Sequence, residues 1–406
     1  MTIEIRACRD KDELEQYNKV VAYVFAENSI EDMATENAQT LPEWTTAAFD
    51  DGRCIATMGT FPFTVRLNGS PVKMGGVTQV GTLPEYRRQG LLRKIMTQGF
   101  AEMQERGQYL AILWASMGAI YQRFGYGLAS TSVNYTFDPR FAGFESGPEP
   151  TGKVTMMPKE DAFPIMKQLY IQRAAPRNLQ IHRATVMWDT DNFRPSKKGQ
   201  PVYSAVYRNG DGEARGYIVY ETEDRQSVGP GPRQVFKIKD FGYLDMDAYR
   251  GLWEYIRRHD LVSTVEMHNV GEDDPAPDLL LEPRILRRST QDAIWLRVVD
   301  IEKAMPQRPY GGRGELTFRV PDDRMCPWNN GAWLMETDGT TTSIRKTDRT
   351  PEIEMPLNTL ASLIVGHRPA THYSRIGKLT ANNDGALATA DALFKTEYLP
   401  HCPNSF

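Results

Sequence analysis

The sequence predicts a mixed α/β (α+β) fold made of three consecutive units. Runs with strand-like alternation and runs with helical spacing follow one another along the whole chain, which is typical of this fold class. The order of elements in the first 146 residues recurs after residue 150. Two stretches rich in proline and glycine, residues 145–152 and 305–314, favour breaks between units. We therefore expect units at residues 1–146, 150–292 and 293–406.

The first unit begins with a predicted strand at residues 3–6 and a helix at 11–24, for which Asp10 is a suitable N-cap. Strands at 54–65 and 73–82 flank Asn68-Gly69, a dipeptide that strongly favours a tight hairpin. The remaining predicted elements are a helix from residue 91 that Gly107 ends, a strand at 109–114, a short helix carrying Tyr121 and a strand at 132–137.

An acidic stretch follows the first helix, and it admits two interpretations. Glu27, Glu31, Asp32 and Glu36 are spaced as on one polar helical face exposed to solvent. The alternative is a rim that attracts a cationic amine toward a binding site. The residues alone leave both open.

The second and third units are predicted by the same patterns. In the second unit we expect helices at 162–172 and 249–258 and strands at 203–207, 217–220, 235–241 and 262–268, with a turn at Asn209-Gly210. In the third unit we expect strands at 295–299, 315–320, 331–336, 341–346 and 353–355, and helices at 357–365 and 385–395. A proline-containing tail, residues 400–406, ends the chain.

Composition narrows the function classes. The net charge of −4 gives no electrostatic reason to expect a nucleic acid or an anionic membrane as partner. The four cysteines are scattered, without a CxxC pair, so neither a metal site nor a disulfide framework is predicted. The first residues are too charged for a signal peptide, and no apolar run reaches about 18 residues. We expect a soluble, cytoplasmic protein that binds no metal.

The turn between the strand at 73–82 and the next helix is predicted to bind phosphate. It contains Arg87, Arg88 and Gly90 immediately before the helix begins. Backbone N–H groups at a helix N-terminus and guanidinium groups both attract a pyrophosphate. A glycine at residue 90 allows a close approach of the backbone to an oxygen atom. The equivalent turn of the second unit has Asp245 and Asp247 instead, and carboxylates there would repel a pyrophosphate.

This segment carries a resemblance to a known family. Pro84-Glu85-Tyr86-Arg87-Arg88-Gln89-Gly90 resembles the acetyl-CoA loop of the GNAT acyltransferases. Together with Ala115-Ser116 and Ile120-Tyr121-Gln122-Arg123-Phe124-Gly125-Tyr126-Gly127, it is similar to one branch, the Eis (enhanced intracellular survival) N-acetyltransferases. The recurring order of elements then predicts a second GNAT-like fold, which lacks the cofactor loop. The resemblance implies a sterol-carrier-protein-like α/β domain after it.

The resemblance also implies where acetyl-CoA, the co-substrate, would bind. It places the pantetheine arm along Val80, Gly81 and Thr82, with Ser116 and Met117 near it. The residues it places at the pyrophosphate are Arg88, Gln89, Gly90, Leu91, Leu92 and Arg93.

The acid and the base of the transfer are implied in the same way. Residues 1–181 contain no histidine, so a catalytic first unit must use other groups. The resemblance makes Tyr121 the general acid and the α-carboxylate of Phe406 the general base. The alternatives are that Tyr121 is a core residue packed on Phe124, and that the chain ends in Phe406 by chance.

The predicted activity is direct transfer of an acetyl group from acetyl-CoA to an amine, and the resemblance further implies a homo-hexamer. The acceptor is open between an aminoglycoside, a polyamine and a lysine-type amine. Asn404 and Ser405 stand where relatives that acetylate aminoglycosides have acidic groups, which disfavours polycationic acceptors. Two alternatives remain: a CoA- or lipid-binding module without turnover, and an enzyme that uses another acyl donor.

Overall fold

The structure, a computed structural model, describes residues 3–26, 40–225 and 231–406. The chain forms two compact units. The first comprises Met1–Ser130, Ala293–Glu397 and Phe406, and the second comprises Thr131–Asp292 and Tyr398–Ser405. The acidic stretch of Glu27, Glu31, Asp32 and Glu36 lies outside the described residues.

Up to residue 130 the elements follow the predicted order. The strands are β1 (Ile3–Arg6), β2 (Ala47–Asp50), β3 (Arg53–Leu67), β4 (Ser70–Thr82), β5 (Leu110–Trp114) and β6 (Gly127–Leu128). The helices are α1 (Lys11–Phe25), α2 (Leu91–Glu105) and α3 (Gly118–Gln122), with 3₁₀ turns at Pro42–Trp44 and Pro84–Tyr86.

Local signals in this region are confirmed where they were specific. The side chain of Asp10 accepts a hydrogen bond from the Glu13 N–H at 2.9 Å, as an N-cap does. Asn68 and Gly69 have φ angles of 49° and 88°, the left-handed values that a tight hairpin needs. Strand β2 was not predicted, because all four of its residues are buried and no alternation marks it.

The region from 131 to 292 contains the second set of elements. The strands are β7 (Thr131–Phe137), β8 (Lys153–Met157), β9 (Gln180–Ile181), β10 (Tyr203–Arg208), β11 (Ala214–Asp224), β12 (Gln234–Tyr243), β13 (Val262–Val270) and β14 (Ser289–Asp292). The helices are α4 (Lys159–Ala174), α5 (Thr185–Met187), α6 (Met246–Arg257) and α7 (Ala276–Leu279), with a π-helical turn at Trp188–Asn192 and a 3₁₀ turn at Pro283–Leu286. The turn between β10 and β11 is longer than Asn209-Gly210 suggested. The Asn209 N–H bonds to the Glu213 carbonyl, and Gly212, with a φ of 83°, takes the left-handed position.

From residue 293 onward the chain forms a further sheet and its helices. The strands are β15 (Ile294–Val298), β16 (Arg313–Val320), β17 (Gly331–Asp338), β18 (Thr342–Lys346), β19 (Ile353–Glu354) and β20 (Thr380–Ala381). The helices are α8 (Ile301–Ala304), α9 (Leu357–Ile364), α10 (Ala370–Arg375) and α11 (Asp384–Phe394), with 3₁₀ turns at Met305–Gln307 and Pro327–Asn329.

Strand pairing assigns the elements to three sheets. In the first unit the order is β1-β2-β3-β4-β5-β15-β6, in which β4 and β5 are parallel and the other neighbours antiparallel. A second sheet of that unit has the order β18-β17-β16-β19-β20. The second unit has the order β14-β7-β13-β12-β11-β10-β8, with β12 and β13 parallel.

Two strands pair in sheets other than those that the sequence analysis expected. Strand β7 pairs with β13, in the second unit, although it was expected to close the first. Strand β15 pairs with β5 in the first unit, although it was expected to begin the third. The change of unit thus falls at residue 130, before the expected limit at 146. Local alternation marks a strand but does not specify its distant partner.

Helices cover both faces of the first sheet. The apolar stripe of α2, with Ile95, Met96, Phe100 and Met103, is fully buried against one face. Tyr17, Val20 and Val21 of α1 are buried with strand residues of the other face. Burial of each large side chain contributes about 1.5 to 3 kcal/mol, so both helices are held firmly to the sheet that bears the candidate site.

Candidate active site

A slot opens where the two parallel strands β4 and β5 stop pairing. Their register runs from Met74 opposite Leu110 to Gly76 opposite Ile112, and no pairing is found beyond it over the described lengths of the two strands. Past Gly76 the edge of β4 that faces β5 is therefore open. An extended ligand with amide groups can bond to such an edge as a further strand would.

A β-bulge in β4 accompanies the opening. Thr57 lies opposite Gly81 and Gly59 opposite Thr78, so Gln79 and Val80 together face the single residue Met58. Gln79 has a φ of 55°, which is uncommon for a residue with a side chain.

Two hydrogen bonds hold this bulge. The Tyr17 hydroxyl donates to Oε1 of Gln79 at 2.9 Å, and the Thr57 hydroxyl donates to the Gln79 carbonyl at 2.7 Å. Gly81 and Thr82 follow immediately, and a Cβ on Gly81 would come within 3.0 Å of Val24 in α1. The bulge is therefore a fixed bend at the entrance of the slot, not a loose irregularity.

The turn after β4 leads to an open helix N-terminus. Gly90 is the N-cap residue of α2, with a φ of 78°, and no side chain caps the helix there. A Cβ built on Gly90 would meet no atom within 4 Å, so the space next to it is open. The N–H groups of the first turn, which includes Leu91, Leu92 and Arg93, lack the partners that a longer helix would supply.

The charge around this N-terminus is positive. Arg88 and Arg93 are exposed, and neither guanidinium forms a hydrogen bond with the residues that the structure describes. Arg87 is held by a 3.0 Å bond from its Nε to the Thr82 carbonyl. The one carboxylate of the turn, Glu85, forms an ion pair with Arg53 at 3.0 Å. The helix end and the free arginines together favour an anion with several charges.

The side chains at residues 89, 91 and 92 do not add positive charge to the turn as the arginines do. Gln89 donates its amide to the Glu85 carbonyl at 3.0 Å, which stiffens the turn. Leu91 is buried in the core and Leu92 is partly buried against it. A ligand at the turn would therefore meet the backbone of these leucines and not their side chains.

Tyr121 lies in α3, beyond the end of β5. Its side chain is 6% exposed and packs edge-on against Tyr126, with ring centroids 5.7 Å apart. Burial raises the pKa of Tyr121 to about 12, so its hydroxyl stays protonated at neutral pH. That hydroxyl has no hydrogen-bond partner among the described residues. Ser116 and Met117, between β5 and α3, are both exposed.

Phe406, the last residue, belongs to the first unit and packs on its sheet. Its ring is edge-on to Phe63, with centroids 4.9 Å apart. Phe63 in turn covers Gly76, where an added Cβ would lie 2.2 Å from Cε2 of the phenylalanine. Only the Phe63 side chain thus separates the Phe406 ring from Gly76, the last residue of β4 that pairs with β5.

Tyr121 and Phe406 belong to opposite faces of the sheet. Gly75 faces α2, since a Cβ there would lie 2.9 Å from the Met103 sulfur, and Val77 shares a buried cluster with Tyr121. A Cβ on Gly76, between them, would point to the other face. The Phe63 and Phe406 rings pack on that face. The two aromatic rings make no contact with each other among the described ring pairs.

The second unit repeats the parallel strand pair without the anion site. The helix that follows β12 is capped by Asp245, whose carboxylate accepts the Ala248 N–H at 2.9 Å and bonds to Arg215 at 2.7 Å. A carboxylate thus occupies the position where α2 leaves open N–H groups. This difference was expected from the acidic turn in the sequence.

Comparisons with known proteins agree with this architecture. Residues 4–129 and residues 179–298 match family profiles for an acetyltransferase (GNAT) domain, and residues 301–403 match one for a sterol carrier protein domain. An uncharacterized N-acetyltransferase of Streptomyces avermitilis is 30% identical over 394 residues, 94% of this chain and 92% of that protein. N-acetyltransferase Eis of Mycobacterium tuberculosis is 26% identical over 336 residues, 79% of this chain and 78% of that protein.

The chain belongs to the Eis family of GNAT N-acetyltransferases. The crystal structure of Eis1 from Mycobacterium abscessus, 26% identical, superimposes with a TM-score of 0.83 over 100% of both chains. The predicted Eis resemblance and the predicted fold, two GNAT folds followed by a sterol carrier domain, are confirmed. The Eis family assignment makes this protein an N-acetyltransferase.

Sequence reasoning missed several residues of the site. Gln79 and Tyr17 fix the bulge, and the available signal was a glutamine between Val77 and Val80 in a mostly buried strand. Phe63 supports Phe406, and nothing in the local sequence indicates that contact. Within the parts of the chain that the structure describes, no helix has the length and apolar content to cross a membrane. Nor do these parts contain a group of three His, Cys, Asp or Glu residues able to hold a metal ion.

Proposed function

We propose that this enzyme transfers an acetyl group from acetyl-CoA directly to a primary amine, without a covalent enzyme intermediate. The observation that carries the proposal is the opening of β4 from β5 beyond Gly76, next to an uncapped helix N-terminus flanked by free arginines. A thioester on a long amide-containing arm with a pyrophosphate at its other end is complementary to this arrangement.

In this proposal the turn before α2 holds the pyrophosphate. The N–H groups of Gly90, Leu91, Leu92 and Arg93 donate to its oxygens, and the guanidinium groups of Arg88 and Arg93 neutralise its charge. Gln89 maintains the shape of the turn through its bond to Glu85. The left-handed φ of Gly90 keeps a Cβ out of the path of the phosphate.

The pantetheine arm lies along the open edge of β4, at Val80, Gly81 and Thr82, with Ser116 and Met117 on the other side of the slot. A backbone N–H on this edge donates to the thioester oxygen and stabilises the negative charge that develops there. Because the Gln79 bulge is fixed by Tyr17 and Thr57, this donor is positioned before the substrate binds.

The chemistry then needs one proton acceptor and one proton donor. The amine nitrogen attacks the thioester carbon, and the Phe406 carboxylate takes a proton from the nitrogen. The tetrahedral intermediate collapses, the carbon–sulfur bond breaks, and Tyr121 gives its proton to the leaving thiolate. Since the two groups belong to opposite faces of the sheet, the base and the acid reach the thioester from different sides.

The acceptor is proposed only as a class: a primary amine such as an aminoglycoside, a polyamine or a lysine side chain. Asn404 is fully buried, so it does not line an open amine pocket. We also propose, from the family resemblance, a cytoplasmic homo-hexamer. Sedimentation of the purified chain tests the assembly.

The proposed activity is tested by following thiol release from acetyl-CoA across a panel of amines. Three variants separate the roles: Tyr121→Phe, Phe406→Leu, and a chain lengthened by one glycine. The lengthened chain keeps the Phe406 ring but displaces the carboxylate, whereas Phe406→Leu keeps the carboxylate. We expect turnover to fall at least about 100-fold in Tyr121→Phe and in the lengthened chain, with CoA affinity retained. Full turnover in the lengthened chain would refute the carboxylate base.

A second candidate function is a CoA- or lipid-binding module without turnover. It is favoured by the match of residues 301–403 to a sterol carrier protein domain. No thiol release with any amine, together with lipid that copurifies with the chain, would support it. Competition between acetyl-CoA and propionyl-CoA tests whether the enzyme uses another acyl donor.

A further inference from the structure

The parallel strands of the second unit separate just as those of the first do. Strands β12 and β13 pair from Gln234 opposite Val262 to Ile238 opposite Met267, and the register ends there. Beyond this point the residues from 239 to 243 and from 268 to 270 diverge. In a GNAT fold this is the place of the acyl-CoA arm, yet the carboxylate cap of α6 excludes a pyrophosphate there.

The C-terminal tail occupies this opening. The His401 ring bonds through Nε2 to the Asn269 carbonyl at 2.8 Å, and the Asn269 amide donates to the Cys402 carbonyl at 2.9 Å. Gln180 donates to the His401 carbonyl at 2.5 Å. A cavity of only about 60 Å³ remains between the two strands, lined in part by His401 and Pro403. Small-molecule sites usually measure about 300 to 1,000 Å³, so the cavity that remains beside the tail is too small for the arm of a coenzyme.

Asn404 is the most deeply buried point of the tail. It is 0% exposed, and its Oδ1 accepts bonds from Arg183 Nε at 3.1 Å and from the Tyr170 hydroxyl at 3.4 Å. Arg183 is held in turn by Asp240, on the diverging end of β12, through an ion pair of 2.5 Å. The tail is therefore tied to β13 by Asn269 and to β12 by Arg183.

We infer that the second GNAT fold no longer binds acyl-CoA and instead holds the C-terminal tail, with Asn404 as the residue that positions the Phe406 carboxylate. The inference rests on the proposed function, in which that carboxylate is the base. Phe406 follows Asn404 by two residues, a reach of at most about 7 Å. Fixing Asn404 thus restricts the volume that the carboxylate can sample.

The burial of Asn404, the anchor of the tail, also explains why this residue is an amide. The Arg183 guanidinium already pairs with the Asp240 carboxylate, so a neutral oxygen acceptor completes its bonds without adding a second charge to the interior. The Arg183 guanidinium further lies over the Tyr170 ring, 3.9 Å from its centroid, and the Trp188 ring, 4.6 Å away. The group that holds Asn404 is therefore itself fixed by an ion pair and by two aromatic rings.

The test compares Asn404→Ala with the matched control Ser405→Ala. Ser405 is exposed and makes one side-chain bond, to Asp191 at 3.1 Å. We expect kcat to fall about 10- to 100-fold in Asn404→Ala with an unchanged KM for acetyl-CoA, and to change less than about threefold in Ser405→Ala. Asn404→Asp keeps an acceptor for Arg183 but adds the second charge that the amide avoids, so it should recover only part of the activity.

A second readout does not depend on turnover. Carboxypeptidase A removes a C-terminal phenylalanine, and intact mass spectrometry follows the release of Phe406. We expect faster release in Asn404→Ala than in the wild type and in Ser405→Ala. If Asn404→Ala does not fold, Asn269→Gly serves instead, since it removes the bond to Cys402 and tolerates the left-handed φ of 52°.

The outcomes separate this inference from the proposed function. Unchanged kcat and unchanged Phe406 release in Asn404→Ala would overturn the anchor, even if the chain lengthened by one glycine is inactive. Full activity in that lengthened chain would overturn the carboxylate base itself. In that case, faster Phe406 release from Asn404→Ala would still show the anchor holding the tail.

Discussion

Gly90→Ala tests the phosphate turn most directly, because the structure separates its effect on stability from its effect on binding. Gly90 has a φ of 78°, and an added Cβ would meet no protein atom within 4 Å. The substitution therefore costs only the strain of a left-handed alanine, about 1 to 2 kcal/mol. The methyl group would, however, stand where the proposed pyrophosphate approaches the backbone. Loss of one charge-assisted bond costs about 1.5 to 3 kcal/mol, or about 10- to 100-fold in Kd.

The first unit offers a matched control at Gly52. This glycine lies in the exposed turn between β2 and β3 and has a φ of 82°, and an added Cβ there would likewise meet no atom within 4 Å. Gly52→Ala should lower the free energy of unfolding by the same amount as Gly90→Ala but leave CoA affinity unchanged. Urea denaturation measures the first quantity and isothermal titration calorimetry the second.

A shortened ligand shows whether Gly90→Ala weakens binding at the pyrophosphate or elsewhere along the cofactor. S-acetylpantetheine lacks the pyrophosphate, so wild type and Gly90→Ala should bind it equally, while they differ with CoA. If both glycine variants bind CoA as the wild type does, or if Gly90→Ala weakens S-acetylpantetheine as much as CoA, the assignment of the turn to the pyrophosphate is refuted.

Three further predictions concern titration and packing. Because burial raises the pKa of Tyr121 to about 12, the rate of thiol release should show no loss of the acid below about pH 11, and a decline near pH 9 to 10 that Tyr121→Phe removes would contradict the raised pKa. The Tyr126 hydroxyl is buried without a hydrogen-bond partner among the described residues, so Tyr126→Phe should leave kcat within about twofold and keep or raise the midpoint of thermal unfolding. Burial lowers the pKa of His401 to about 3 from an ordinary 6.5, so the stability it contributes is complete above pH 6.5 and is lost as the pH falls toward 3. Between pH 7 and pH 5 this loss should be about 2 kcal/mol in urea denaturation, and His401→Gln should abolish that part of the pH dependence.

The sequence predicted the local structure of the candidate site wherever a short segment determines its own conformation. The path from β4 through Gly90 into α2 could be read directly, because a strand, an arginine-rich turn and an amphipathic helix each have their own pattern. Gly107, expected as a left-handed cap, has a φ of 72°. Tyr121 and Phe406 were named from the family resemblance, and their catalytic roles remain proposals.

The other features of the candidate site depend on contacts between residues far apart in the sequence. Gln79, with its unusual φ, is held by hydrogen bonds from Tyr17, 62 residues earlier, and from Thr57, 22 residues earlier. Asn404 was considered only for its effect on the acceptor, whereas its Oδ1 accepts a hydrogen bond from Arg183, 221 residues away. The sequence around Gln79 and Asn404 does not indicate that Tyr17 and Arg183 bond to them.

The placement of β15 beside β5 has a practical consequence for dissecting this enzyme. A gene fragment that stops at residue 146 would encode β5 without its antiparallel neighbour, and the row from Leu110 to Leu113 would present an unpaired apolar edge. Such a fragment should aggregate. Mapping of drug or antibody epitopes by truncation should therefore retain residues 293–397 together with residues 1–130, and treat residues 131–292 as an insert.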